Sequence, residues 1–185
     1  MSRKVMAGAL AATILAALCP SISMAQSKAE KIASALSAAP PAIAAHAAVM
    51  DLPGKDGKMV MLREGTNGWT CIPSEPKSKY IVNNSMCGDQ TFFTFVGGLM
   101  SGKPAPGIKQ VGYSYMLSAD DWESNTDVSS KAPTANNQWH KVGSHVMIAY
   151  PDPKMLQGIP TRPSKNGAYV MWAGTPYAHV MFPVK

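Results

Sequence analysis

Hydrophobic and polar positions alternate most regularly in the last third of the chain. There two nearly identical words, "GSHVMIAYP" at 143–151 and "YAHVMFPVK" at 177–185, each read as a strand. Side chains two apart share a face, so His145, Met147 and Ala149 oppose Val146, Ile148 and Tyr150, and His179, Met181 and Pro183 oppose Val180, Phe182 and Val184. The branched and aromatic sides predict core faces, and the two His-x-Met pairs predict the outer face of a common sheet. A third strand follows from the alternation of Val111, Tyr113, Tyr115 and Leu117, and a fourth from residues 167–173 before the Gly174-Thr175-Pro176 turn.

The first half mixes periods. Ser27 with Glu30 three residues on is a capping-box start, and Ala29, Ile32, Ala33 and Leu36 fall on one helical face before Pro40-Pro41 stops it. "AIAAHAAVMD" and "KMVMLRE" flank the turn "LPGKDG" and predict a hairpin, with a helix as the rival for the alanine-rich run. A short strand ends at Cys71, and residues 73–88 are polar and irregular. From Asp89, Phe92, Phe95, Val96 and Leu99 recur at helical spacing up to Gly102 and Pro104, although Gly97-Gly98 costs that helix about 1 kcal/mol per glycine. Residues 118–140 show no regular pattern and predict a long loop, whose Asp120, Asp121 and Glu123 read as solvated charges. A helical turn is expected at 154–157. The sum is an α+β domain with a mainly antiparallel sheet of about six strands and two short helices.

The N-terminus changes the setting. Arg3 and Lys4 precede a short apolar run and a small-residue approach to Ala25, the pattern of a secretory signal peptide over residues 1–25. Cys19 follows Leu18 rather than a small residue, which disfavours a lipoprotein site. The apolar run falls short of the roughly 20 residues that a bilayer span needs, so no stable membrane insertion is expected after cleavage. Residues 26–185 suffice for a single globular domain. In an oxidising compartment, periplasmic or secreted, Cys71 and Cys87 should form a disulfide, which a loop of that size makes worth about 3 kcal/mol. Removing Arg3 and Lys4 from the 17 basic residues leaves a net charge of about +4 against 11 acidic ones. The basic residues are scattered without aromatic interleaving, so no nucleic-acid partner is expected.

Several chemistries compete for the repeated word. Imidazole and thioether donors suit copper, above all Cu(I), through His145, Met147, His179 and Met181; His46 with Met50 and the "MVM" at 59–61 offer more of the same, yet methionine is also a common gap-filler. Zinc on His145, His179 and Asp127 lacks a clustered ligand spacing. A hydrolase would take His145 or His179 as base, Asp127 or Asp152 as orienter and Ser124 or Ser144 as nucleophile, without a nucleophile elbow. Glu64 with Asp120, Asp121 and Glu123 would supply carboxyls for glycoside chemistry only at the right separation. A histidine at a strand start also serves simply by hydrogen-bonding a loop.

Taken together, "LREGTNGWTC", "SNTD", "HVMIAYPDP" and "MWAGTPYAHVMFPV" resemble a family of secreted bacterial proteins of similar length that carry no assigned activity. The likeness spans about Ala42 to Val184. It implies that Gly68, Trp69, Cys71, the "SNTD" loop, His145, Asp152, Trp172, Pro176 and His179 belong to recurring motifs. The chain departs from that pattern in the helix after the second cysteine, where Phe92, Phe93 and Phe95 stand in place of tryptophans. The resulting expectation is an exported binding or envelope-associated accessory protein with an unknown small molecule or envelope component as partner. A hydrolase using the His145/His179 patch and a periplasmic copper-binding protein are the alternatives.

Overall fold

The structure is a computed structural model that describes residues 26–54, 57–75, 78–100 and 107–184. The expected signal peptide, 1–25, lies outside them. Three helices, α1 (Lys28–Leu36), α2 (Pro41–Ala44) and α3 (Gln90–Met100), accompany eleven strands. In chain order these are β1 (Ala48–Asp51), β2 (Val60–Arg63), β3 (Trp69–Ile72), β4 (Ile81–Asn83), β5 (Met86–Asp89), β6 (Gly112–Met116), β7 (Asp120–Ser124), β8 (Trp139–Val142), β9 (His145–Ala149), β10 (Tyr169–Met171) and β11 (His179–Pro183). A 3-10 turn covers Pro153–Leu156.

Eight strands form one sheet in the order β10-β11-β9-β6-β5-β3-β1-β2, and β4-β7-β8 form a second. The architecture is therefore mixed, as expected, but larger than the six-strand sheet that alternation predicted. It is also not wholly antiparallel, because β1 runs parallel to β3. The strands missed lie where polar residues hide the period: β4 and most of β5 within 73–88, and β7 and the start of β8 within the expected 118–140 loop. The run at 42–51 is split between helix and strand, so His46 sits exposed in a turn and does not share a strand face with Met50.

The large sheet is covered differently on its two faces. On one face α1 and the turn after it pack Ala35 and Ala38 against the disulfide between Cys71 and Cys87, which oppose each other on β3 and β5. Small side chains at the contact let the helix approach closely, and the expected capping box holds its start, with Ser27 and Glu30 each accepting the other's backbone N–H. Arg63 closes the end of α2 by donating to the carbonyls of Ala44 and Ala47.

The opposite face lies under α3 and the second sheet. Asp89 caps α3 through the N–H of Phe92 at 2.7 Å and also accepts from the N–H of Tyr113 at 2.9 Å, fastening the helix to β6. Gly112 permits the contact, since a Cβ there would lie 2.7 Å from the backbone nitrogen of Phe92. Gly112→Ala is expected to push α3 off the sheet at a cost of about 1–3 kcal/mol, visible as a lowered melting temperature; an unchanged melting temperature would show that the helix has slack.

The two faces of β9 and β11 are the reverse of those predicted. His145, Met147, Ala149, His179 and Met181 are buried, whereas Phe182 is 49% exposed and Val146 and Ile148 are only half-buried. Of the branched side, Val180 is buried, beside Val170 of β10. Alternation separates two faces correctly; the placement of α3 and the second sheet decides which one becomes interior.

Candidate functional site

Between the large sheet, α3 and the second sheet lies a cavity of about 280 Å³. Register explains its floor. Met181 pairs with Met147 across β11 and β9, Met171 pairs with His179 across β10 and β11, and Met116 pairs with His145 across β6 and β9. These six side chains therefore share one face, and Met86 of β5 extends it. Phe92 and Val96 of α3 close the cavity from above, and Trp172 closes it beside His179.

The second sheet adds acids. Along β7, Asp121 and Glu123 alternate with Trp122, which is 40% exposed, and their partners on β8, Val142 and His140, share their side. Asp121 and Glu123 both line the cavity, so they are not the solvated loop charges that the sequence suggested. Asp120, by contrast, points away and pairs with Lys141 at 2.6 Å. Glu64 is exposed just after β2, the strand at the opposite edge of the large sheet from β10.

Burial sets the protonation of these groups. Asp121 is 1% exposed, and desolvation, reinforced by the neighbouring charge of Glu123, pushes its carboxyl up to about 7. Its Oδ1 accepts the N–H of Asn83 at 3.2 Å, while Oδ2 has no partner among the described residues. Desolvation raises Glu123 as well. It acts oppositely on the imidazoles, lowering both His145 and His179 to about 4. Outside this lining, the Tyr169 hydroxyl lies 3.0 Å from Nε2 of His140, with desolvation lowering that imidazole and raising that phenol.

His179 is the most unusual member. Its Nδ1 lies 2.8 Å from the carbonyl of Tyr177, which makes Nδ1 the protonated nitrogen and leaves Nε2 with a lone pair. That Nε2 is buried and unpartnered. Trp172, Phe95 and Phe92 stand edge-on to the ring at centroid distances of 5.2, 6.1 and 6.5 Å. A buried acceptor without a donor costs about 1–3 kcal/mol, so its persistence calls for an explanation. His145 is held similarly, with Nδ1 2.7 Å from the carbonyl of Gly143.

The two imidazoles face one cavity but are not a pair. His145 opposes Pro183 at one end of the β9–β11 ladder, and His179 lies at the other, roughly 13 Å along the strands at about 3.3 Å per residue. The other predicted participants are spent elsewhere. Ser124 donates its hydroxyl to the carbonyl of Asn137 and accepts from the N–H groups of Thr126 and Asp127. Asp127 is exposed and holds Ser129; Ser144 donates to the carbonyl of Leu117; Asp152 caps the 3-10 turn through Lys154. The "SNTD" loop nonetheless matters to the site. The carbonyl of Ser124 accepts the indole N–H of Trp172 at 2.8 Å, and that of Asn125 accepts its backbone N–H at 2.8 Å, so the loop seats Trp172 against His179.

Sequence reading missed Asp121, Glu123 and Met171 as parts of the site. The available signal was the acid pair two residues apart, which on a strand share a side. Among the described residues, no three His, Cys, Asp or Glu side chains assemble as a metal site, and no helix is long and apolar enough to cross a membrane. No protein-family model, no curated protein and no solved structure matches this chain.

Proposed function

We propose that the protein is an exported binding domain, periplasmic or secreted, that holds a small ligand in the cavity between its two sheets. The observation that carries this reading is the pair of buried, unpartnered polar atoms there, Nε2 of His179 and Oδ2 of Asp121, in a wall that is otherwise mostly apolar and includes five methionines. A mostly apolar cavity with a few convergent polar groups of shifted protonation is the usual form of a ligand site. The Cys71–Cys87 bond and the leader-like residues 1–25 support an oxidising destination.

The hydrolase reading ranks below it on the same geometry. The hydroxyls of Ser124 and Ser144 are committed to backbone carbonyls, and the carboxylates of Asp127 and Asp152 to their own turns. Asp121 and Glu123 project from one strand rather than flanking a bond from two sides, which also disfavours glycoside chemistry.

A cavity of about 150 Å³ suffices for a benzene-sized guest, so this one has room for a single ring. Indole and p-cresol, each bearing one N–H or O–H donor for His179, are therefore the probes of choice. Both are expected to raise the melting temperature in proportion to ligand excess, as linkage requires. His179→Phe, which keeps a ring but removes the acceptor, should abolish the shift. If neither probe stabilises the parent protein, the cavity does not take a single-ring ligand.

A further inference from the structure

We propose that the natural occupant of this cavity is a soft monovalent metal ion, Cu(I), held by Nε2 of His179 and the thioethers of Met171, Met181 and Met147. The proposal rests on the cavity being the binding site and names its ligand. Strand register brings the four donors together. Met171 is the direct partner of His179, Met147 is the direct partner of Met181, and His179 and Met181 are two apart on β11. Cross-strand partners on one face have Cβ atoms about 5 Å apart, within reach of a common ion for side chains as long and flexible as methionine. All four are at least 93% buried.

Donor chemistry selects the metal. Thioethers carry no charge and no proton, and together with imidazole they favour Cu(I) over zinc, calcium or magnesium. Zinc's usual combinations of thiolate, imidazole and carboxylate are not assembled among the described residues. His179 already has the ligand form: the Tyr177 carbonyl fixes the proton on Nδ1, which leaves the lone pair of Nε2 for a metal. Trp172, Phe92 and Phe95 surround the ring, so an ion there is held by soft sulfur and nitrogen donors in place of water. Asp121 and Glu123 line the same cavity, and release of one carboxyl proton on metal entry would balance the positive charge.

The site answers the objection that methionines merely fill space. A gap-filling cluster needs no buried, unpartnered imidazole lone pair beside it.

The test loads the purified protein with Cu(I) under ascorbate, against bathocuproine disulfonate as competitor, and reads the ion by X-ray absorption. One ion per chain is expected, with sulfur scattering and a single imidazole. Met147→Leu with Met181→Leu conserves volume and should leave the fold intact. It should weaken Cu(I) by at least the roughly 10- to 100-fold that loss of a supporting partner costs a metal site. Indole should still stabilise that double variant. Two results overturn the metal assignment: no Cu(I) retained while indole and p-cresol bind, which leaves the cavity reading standing, or equal Cu(I) retention in the double variant, which places the ion on exposed donors such as His46 and Met61. Failure of Cu(I) and of both probes removes both readings.

Discussion

Asp121→Asn and His179→Phe will tilt the pH dependence of stability in opposite directions. The Asp121 carboxyl stands at about 7 in the folded protein against 3.8 for the same carboxyl in water. Its folded form holds a proton that the unfolded chain has lost, so its contribution is complete below about pH 4 and disappears as pH rises to 7. The whole effect is on the order of 4 kcal/mol. His179 behaves inversely, with about 4 folded against 6.5 unfolded. Its contribution is complete above 6.5 and is lost as pH falls to 4, an effect of about 3 kcal/mol, and His145 adds a similar amount.

Glu123 shares the sign of Asp121 and His140 that of His179, so the parent curve is a partial cancellation. Single substitutions expose the components. Between pH 4 and 6.5, His179→Phe should lower the slope of unfolding free energy against pH by about 1.4 kcal/mol per unit, and Asp121→Asn should raise it by the same amount. Urea titrations at half-unit steps measure both. Three parallel curves would mean that these groups titrate as they do in water and that the cavity is wet.

Removing the disulfide is the second large effect. Cys71 and Cys87 are fully buried beneath Ala35 and join β3 to β5 across a separation of 16 residues. Without the bond, the denatured chain regains the freedom of that loop, and Cys71→Ala with Cys87→Ala should cost about 3 kcal/mol, within the 2–5 typical of small secreted domains. Against a total of 5–15 kcal/mol that is a large share. Because Met86 adjoins Cys87 on β5, the loss should also loosen the cavity wall and weaken indole binding in parallel. A urea midpoint within error of the parent's would show that α1 and the ladder alone hold these strands.

Much of the frame was legible in the chain. The Ser27–Glu30 start of α1, the apolar spacing of α3, the strands at β6, β9, β10 and β11, and the cysteine pair all follow from local chemistry. Shared faces were legible too, since His145 and His179 do emerge on one side of one sheet. What alternation cannot encode is which side is covered. β-branched Val146 and Ile148 look more like core than His145 and Met147, yet α3 and β7–β8 roof the latter. Those roofing strands were themselves concealed, because "DDWES" turns Asp121 and Glu123 inward and its tryptophan outward, inverting the usual pattern. The parallel β1–β3 pair depends on a crossover that no local spacing marks.

The account stands on His179 being a neutral imidazole whose unprotonated Nε2 faces the cavity. Nitrogen-15 NMR of the ring reads this directly. The predicted result is the Nδ1–H tautomer throughout neutral pH, protonation only near pH 4, and a shift confined to Nε2 when indole is added. Protonation near 6.5, or a proton found on Nε2, would contradict it.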